Sequence, residues 1–233
     1  MRINGIDART FKSKQLTVEF QPPSTAVKYD WNDGDLKPNA YETEEKAGKL
    51  TLVMYFVAKD RTEVTRCISE FLMHTNGEAQ LELEGYKGAF CGIKQSAKIV
   101  KTLEHRKKKL EMVFDGFFMD DSIEKVLKKE SQTYITQGTR KSPCTLRMKN
   151  LTEEAQTVTV EGLTETAIQA EVPAGKTLVI DGELGLVTID GENAFLQVIE
   201  MWEFPYVPQG EVTVNVTNVK NVQTTMSYKP MWI

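Results

Sequence analysis

"LVIDGELGLVTIDGENAFLQVIEMWEFPYVPQGEVTVNV", Leu178 to Val216, is the stretch that decides the fold class of this 233-residue chain. It holds two Asp-Gly pairs, Asp181-Gly182 and Asp190-Gly191, each beside a short apolar run. Asp-Gly flanked by such runs is the strongest short-range signal for a β-hairpin. The segment "AFLQVIEMWEF" after the second pair predicts a long apolar strand. The stretch ends with valines that alternate with polar residues, the period of a half-buried strand: Val212, Val214 and Val216.

The same pattern extends on both sides of this stretch. Upstream, Val158 and Val160 alternate with polar residues, and "VPAGK" predicts a turn. Downstream, the chain ends in "MSYKPMWI", which predicts a last strand whose apolar end closes the core, with Pro230 marking an edge or a bulge. Short strands with turns every 8–12 residues are typical of a β-sandwich.

The first half of the chain mixes strands with helices. Alternation over 16–20 predicts a strand, and the nearly continuous apolar run 50–57 predicts a strand buried on both faces or at a subunit contact. Apolar residues at helical spacing predict a helix after Asp60, with Glu63 completing a capping box. A second, shorter helix is predicted over 120–131. Between the helices, residues 97–118 predict a hairpin with a basic tip.

Residues 29–49 form a long polar segment between two predicted strands. An unstructured loop of this length in a compact domain is usually functional or disordered. Three apolar residues stand in it, Trp31, Leu36 and Tyr41, and their exposure to water together is unfavourable. We therefore predict that they contact a neighbouring subunit.

Charge divides the chain into two predicted domains, 1–137 and 138–233. The first holds 22 basic and 21 acidic side chains, and the second holds 7 basic and 12 acidic ones. Balanced charge lets copies of the first domain meet side by side without repulsion, whereas copies of the second repel one another. We expect the first domain to form an oligomer and the second to be monomeric.

The residues that carry most enzyme chemistry are scarce. Two histidines and three cysteines show no metal-ligand spacing, so we predict no catalytic site, no cofactor and no metal. The odd number of cysteines indicates reduced thiols and synthesis in a cytosol. Neither a secretory signal nor an apolar run long enough for a membrane span is expected.

Two binding functions stay open at this stage. The basic run His105 to Lys109 could contact a phosphate backbone, although such runs are more often solvated tips or half of a charged subunit contact. Trp202, Phe204 and Tyr206 could stack on a sugar, although residues of this kind in an alternating strand are mostly core.

The C-terminal motifs resemble those of the siphophage distal tail (Dit) family. These motifs are the Asp-Gly hairpins, the aromatic-Pro turn Phe204-Pro205, the turn Pro208-Gln209-Gly210, and the chain end Tyr228 to Ile233. The first half is similar to that family in the order of its elements rather than in motifs.

The resemblance implies a mainly β protein of two domains. The N-terminal domain would be a tail-tube-like β-sandwich with a packed helix and a long loop, and the C-terminal domain a galectin-like β-sandwich. Six copies would form a ring at the distal end of the tail in the virion, with a tail-tube protein above and a tail-associated or tip protein below. DNA would only pass through the ring, and no membrane would be involved. The alternatives are a tail-tube subunit and a carbohydrate-binding module for host adsorption.

Overall fold

A computed structural model describes residues 1–30, 36–37, 39–100 and 104–232, with the backbone alone at 25–26, 39 and 41–45. The contacts within the chain divide it into two compact units, Met1–Met119 and Asp120–Trp232. The mainly β class predicted from the sequence is confirmed, with one α-helix among the described residues. The sequence-based boundary at 137/138 lies inside the second unit, because the strands over 123–135 pair with strands of that unit.

The first unit is built around one antiparallel sheet. Its elements are β1 (Arg2–Ile3), β2 (Ile6–Asp7), a first 3₁₀ helix (Ala8–Phe11), β3 (Ser13–Gln21), β4 (Thr25–Asp30), β5 (Asn39–Glu45), β6 (Gly48–Val57), α1 (Arg61–Met73), β7 (Glu78–Glu82), β8 (Ala89–Val100) and β9 (Lys107–Met119). The sheet has the order β2-β1-β7-β8-β9-β6-β3. Strands β4 and β5 pair in a separate two-stranded sheet.

The core of the first unit lies between this sheet and α1. Alternate residues of β6 are buried, among them Met54 and Phe56. Helix α1 buries the stripe Val64, Cys67, Ile68 and Phe71. The Phe71 ring meets the Phe56 ring edge to face at a centroid distance of 5.2 Å, a favoured arrangement of aromatic side chains.

Side chains form hydrogen bonds at both ends of α1, and the N-terminal cap is the one that the sequence predicts. The Asp60 carboxylate accepts a hydrogen bond from the Glu63 amide at 2.8 Å, which is the N-cap contact. The Glu63 carboxylate reaches back to the Lys59 amide at 2.8 Å. At the other end, the Lys94 ammonium donates to Thr75 Oγ1 at 2.9 Å, just beyond the last turn. The predicted helix is therefore confirmed.

The second predicted helix, over 120–131, is wrong. Residues Ile123–Leu127 form strand β10, which pairs with the chain near its C-terminus, from Ile123 opposite Tyr228 to Leu127 opposite Thr224. The apolar residues Ile123, Val126 and Leu127 fit both a helical and an extended pattern over so few positions. Pairing with a distant strand decides the outcome, which local spacing cannot show.

The second unit consists of two antiparallel sheets. Its elements are β10 (Ile123–Leu127), β11 (Ser131–Ile135), β12 (Ser142–Asn150), β13 (Gln156–Glu161), β14 (Ile168–Val172), β15 (Thr177–Asp181), β16 (Leu186–Ile189), β17 (Glu192–Asn193), a second 3₁₀ helix (Phe195–Gln197), β18 (Val198–Glu200), β19 (Tyr206–Val207), β20 (Glu211–Val216), β21 (Val222–Tyr228) and β22 (Met231–Trp232). One sheet has the order β10-β21-β12-β15-β16-β17 and the other β11-β20-β13-β14-β18. One buried cluster draws residues from both, as in a sandwich: Leu146, Ile180 and Met226 from the first, and Val158, Ala170 and Val214 from the second.

The predicted turns and strand of the stretch 178–216 have different outcomes. Asp190 and Gly191 both have positive φ, 52° and 86°, so this pair forms the tight hairpin turn that the sequence predicts. At Asp181 the connection is longer, and its carboxylate accepts from the amides of Glu183 and Leu184. The long apolar strand predicted over 194–204 is wrong, since the segment forms a 3₁₀ helix and the short strand β18.

The C-terminal segment contributes to the second unit in two ways. Tyr228 at the end of β21 is buried in the core, as predicted for a last strand of the sandwich. Trp232, by contrast, is half-buried, and its indole Nε1 donates to Asp120 Oδ2 at 2.8 Å. The indole therefore ties the chain end to the first residue of the unit rather than filling its core.

Candidate assembly surfaces

The segment 29–49, predicted as a long loop, is largely a β-hairpin. Strands β4 and β5 pair from Thr25 opposite Glu45 to Asp30 opposite Asn39. The described side chains Val27 and Tyr29 are exposed, at 47% and 57% of their surface. The hairpin therefore presents apolar groups to solvent on a two-stranded arm, which is a shape suited to reaching another chain.

The three predicted contact residues are placed differently in the arm. Leu36 is fully exposed. Tyr41 lies in β5, and its side chain is outside the described residues, as is the whole of Trp31. The assignment of these three residues to a subunit contact stays a prediction.

The first unit has a second sheet surface, opposite α1. On β6 the residues Thr51, Val53 and Tyr55 alternate with the buried ones and are only half-buried. The pairing register sets Val53 opposite Glu111 and Tyr55 opposite Lys109. We call Thr51, Val53, Tyr55, Lys109, Glu111 and Val113 the outer face of this sheet.

The outer face mixes apolar side chains with charges of both signs. Its neighbour Ile93 on β8 continues this character, because it lies opposite Asp115 of β9 and is exposed at 56%. The continuous apolar run of β6 is thus explained: one side fills the core of the unit, and the other remains partly open to solvent. Within the single chain the run is not buried on both faces, and its place at a subunit contact stays a prediction.

The basic tip joins β8 and β9. Among its described residues, Lys107 forms an ion pair with Glu104 at 2.7 Å, and this partner raises the pKa of the Lys107 ammonium. The Arg106 carbonyl accepts a hydrogen bond from the Ala58 amide at 3.1 Å. The tip is thus folded back on the end of β6, and part of its positive charge is already paired within the chain.

The three aromatic residues considered for sugar stacking do not act together. Trp202 is 82% exposed, whereas Phe204 packs against the core of the second unit. The Tyr206 ring is half-buried and lies 4.8 Å from the Lys141 ammonium. A stacking platform needs several exposed rings on one surface, and these three residues do not provide it.

Chemistry-bearing side chains give little sign of a reactive centre in the described part of the chain. Within those ranges, His, Cys, Asp and Glu side chains do not gather in any group of three or more that could hold a metal ion. Burial raises the pKa of the Cys144 thiol to about 12, so this thiol is not a nucleophile at neutral pH. No helix of the described residues is long and apolar enough to cross a membrane.

Sequence reasoning missed one surface feature. The segment 194–204, predicted as a strand, carries several large apolar side chains that are exposed, including Leu196 at 98%. A usable signal was present, because apolar residues in "AFLQVIEMWEF" do not alternate with polar ones as they do in the neighbouring strands.

Comparison with known proteins connects residues 137–232 to phage tails. Residues 137–232 match the family model of the siphovirus-type tail component, C-terminal domain, named after SPP1 Dit. The resemblance to distal tail proteins that the C-terminal motifs predict is therefore confirmed. No curated protein matches the chain.

Solved structures show the same fold over almost the whole chain. A crystal structure of the Dit protein of phage SPP1, described as a paradigm of hub adsorption apparatus in phages infecting Gram-positive bacteria, has a TM-score of 0.74 at 12% identity and covers 99% of this chain and 98% of its own. Chains of the phage P2 baseplate in its activated conformation match at 9% identity, with TM-scores of 0.56 for the calcium form and 0.58 for the strontium form. The alignments cover 96% and 97% of this chain, and 92% and 94% of those chains.

Proposed function

We propose that this chain is a structural hub protein of a siphovirus tail, which forms a ring of six copies at the distal end and joins the tail tube to the baseplate or tip. The family match of residues 137–232 and the fold shared with the SPP1 hub protein support this assignment. In the proposed virion a tail-tube protein lies above the ring and a tail-associated protein below it. DNA is cargo that passes through, and the protein has no enzymatic role.

The observation that carries the ring proposal is the outer face of the first unit. Val53 and Tyr55 would be fully buried if a neighbouring copy covered them, and each fully buried apolar side chain contributes about 1.5–3 kcal/mol. Lys109 and Glu111 beside them supply charges of opposite sign, so that copies can pair acid against base. A heterologous interface of this kind closes into a ring when its rotation permits.

The β4–β5 arm supplies a second contact in this proposal. Its strands pair with each other, and its described apolar side chains are exposed, as Leu36 shows most clearly. We assign Trp31, Leu36 and Tyr41 to the surface that reaches the neighbouring copy. Both contacts come from the first unit, which is also the unit with nearly balanced charge.

The alternatives weighed from the sequence are less well supported. A tail-tube subunit would account for the first unit, but the family match falls on the second. A carbohydrate-binding role rested on three aromatic residues, of which only Trp202 is strongly exposed.

The test is native mass spectrometry of the full-length chain and two variants. We expect the wild-type chain to form a closed hexamer. Val53→Asp should abolish the ring by placing a charge in the proposed contact, and replacement of residues 31–38 by a short Gly-Ser turn should do the same by removing Trp31 and Leu36. We expect both variants to remain folded, since Val53 is only half-buried and Leu36 is fully exposed.

Ile135→Asp is the matched control, since Ile135 is 87% exposed and lies in the second unit. It should assemble like the wild type. A wild-type chain that stays monomeric at high concentration and low salt, and also in the presence of the tail-tube protein, would refute the ring.

A further inference from the structure

Eight large apolar side chains of the second unit are exposed by half of their surface or more, and six of them lie between residues 184 and 202. We call these six the apolar edge: Leu184, Leu186, Phe195, Leu196, Ile199 and Trp202. Leu196 and Trp202 are the most exposed, at 98% and 82%. Contiguous exposed apolar surface on a folded protein marks an interaction site more often than chance exposure of single residues does.

The topology brings these residues to one side of the sandwich. Strand β17 is the outermost strand of one sheet, and β18 is the outermost strand of the other. The 3₁₀ helix Phe195–Gln197 connects these two strands, and the Ala194 amide donates to the Val187 carbonyl at 2.9 Å. The chain therefore crosses from one sheet to the other along this edge, carrying the exposed residues with it.

The exposed side chains stand on a backbone that is held in place. Val198, Met201 and Phe204 of the same segment pack against the core, and β18 pairs with β14. The segment thus has inward residues that anchor it and outward residues that it presents. Rigid presentation of a large aromatic such as Trp202 is typical of binding hot spots, since little conformational freedom is lost on association.

The charge around the apolar edge is predominantly negative. Residues 181–206 contain six acidic side chains and no lysine, arginine or histidine: Asp181, Glu183, Asp190, Glu192, Glu200 and Glu203. Lys229 pairs with Glu183 at 3.1 Å, and Lys176 pairs with Asp190 at 2.7 Å. The remaining carboxylates leave a negative rim around the apolar surface.

A cleft lies at one end of this edge. Its volume is about 380 Å³, and it is lined by Lys176, Ile189, Asp190, Glu192, Asn193 and Ala194. Ala194 directly precedes the 3₁₀ helix, so the cleft adjoins the exposed Phe195 and Leu196. Lys176 already pairs with Asp190 in its wall, so Glu192 is the carboxylate that remains for a long cationic side chain from a partner.

We propose that the apolar edge docks a segment of a different protein in which apolar side chains stand beside lysine or arginine. The apolar residues would cover Leu196 and Trp202, and a cation would enter the cleft beside Glu192. The same edge of a second copy fits less well, because it would bring an identical negative rim against this one. The docking site belongs to the second unit and is therefore independent of the ring contacts proposed for the first.

The test is fluorescence anisotropy with short labelled peptides of equal length and the full-length chain. One peptide combines Leu and Trp with Lys and Arg, a second combines the same apolar residues with Glu, and a third combines Lys and Arg with Ser. We expect the basic apolar peptide alone to bind, and its affinity to fall with added salt. The double variant Leu196→Ser with Trp202→Ser should weaken binding at least about tenfold, as removal of central anchors does.

Matched variants separate docking from general effects. Ile135→Ser changes an exposed residue on β11, the strand at the opposite end of the sheet from β18, and should bind like the wild type. Glu192→Lys with Glu200→Lys should weaken the basic apolar peptide and strengthen the acidic one. Both carboxylates and the other changed side chains are exposed, so the melting temperatures should stay close to that of the wild type.

Three results would overturn the proposal. The first is no binding of the basic apolar peptide, and the second is equal binding of the acidic one. The third is a wild-type chain whose self-association in sedimentation velocity is lost in the Leu196→Ser, Trp202→Ser variant, because the occupant of the edge would then be a second copy.

Discussion

Asn150 shows how a single polar side chain organises the second unit. It is buried, and its amide nitrogen donates to the carbonyls of Glu154 at 2.7 Å and Val172 at 2.9 Å. Its side-chain oxygen accepts from the Thr152 amide at 2.9 Å. This one residue therefore closes the turn after β12 and joins it to the end of β14. The sequon Asn150-Leu151-Thr152 is thus part of a structural contact.

We expect Asn150→Asp to lower the free energy of unfolding by about 2–4 kcal/mol at neutral pH. A carboxylate cannot donate, so the substitution sets a buried negative charge against carbonyl oxygens that lose their donor. Urea denaturation would measure the change. The control is Asn215→Ser, which changes the exposed first residue of a second sequon, Asn215-Val216-Thr217. It should lower the free energy of unfolding by less than about 1 kcal/mol.

From the burial of the Cys144 thiol we predict that the free energy of unfolding depends on pH in the alkaline range. Burial raises its pKa from 9.0 to about 12, so the folded chain keeps a proton that the unfolded chain loses. Stability should be unaffected by this group below about pH 8.5 and should fall as the pH rises from there toward the folded value, by up to about 1.4 kcal/mol per unit.

A Cys144→Ala variant removes this titration while other groups continue to titrate. Its stability should be lower at neutral pH, because the buried side chain is smaller, but should fall less steeply than that of the wild type between about pH 9 and 10.5. Parallel pH profiles of the two proteins would contradict the assignment to Cys144.

Among the elements, the β8–β9 hairpin depends on two glycines that face each other. Gly92 pairs with Gly116, and a Cβ added to Gly116 would lie 2.1 Å from the Cys91 carbonyl oxygen and 2.6 Å from the Gly92 Cα. These neighbours are backbone atoms of the central strands and cannot turn aside as a side chain could. Glycine is thus required here by the close approach of two strands.

We expect Gly116→Ala to destabilise the first unit by about 3 kcal/mol, at the upper end of the usual cost of overpacking. Thermal unfolding should show the loss. Ser96→Ala, an exposed position on the same hairpin, should change stability by less than about 0.5 kcal/mol. If Gly116→Ala has the melting temperature of the wild type, the two strands can move apart without loss of stability, and glycine is not required at this position.

The elements also show what the sequence can and cannot predict. Helix α1 was predictable because a local cap at Asp60 and an apolar stripe agree with each other. Strand β10 was not, because its five residues fit two periods and only pairing with β21 selects one. The segment 29–49 was predicted as a loop and not as a hairpin, since its polar residues show no apolar alternation from which strands could be predicted. The apolar edge was missed although its residues do not alternate with polar ones, because a continuous apolar run is also typical of a fully buried strand.

At the scale of the whole molecule, the two units give a prediction about fragments. Strands β10 and β11 lie before the sequence-based boundary, yet they pair with β21 and β20. A fragment 120–233 keeps both sheets complete and should be a folded monomer. A fragment 138–233 leaves the edges of β20 and β21 unpaired and should aggregate.

The first unit should behave differently as a fragment. Residues 1–119 hold the arm and the outer face, so we expect this fragment to form a closed oligomer in native mass spectrometry. If the 120–233 fragment forms an oligomer and the 1–119 fragment stays monomeric, the ring contacts belong to the second unit and not to the first.

The strand order of the second unit also constrains when it can fold during synthesis. Strand β21 lies between β10 and β12, and β20 lies between β11 and β13, so the two long strands of this unit that are made latest take inner positions in both sheets. The strands made earlier must wait for them, whereas the sheet of the first unit can form from residues already synthesised. A prematurely terminated chain would therefore lack the middle of both sheets and would not yield a second unit with a small local defect. Translation through β21 is in this way a condition for the second unit, and copies that stop before this strand would be unfolded there before assembly.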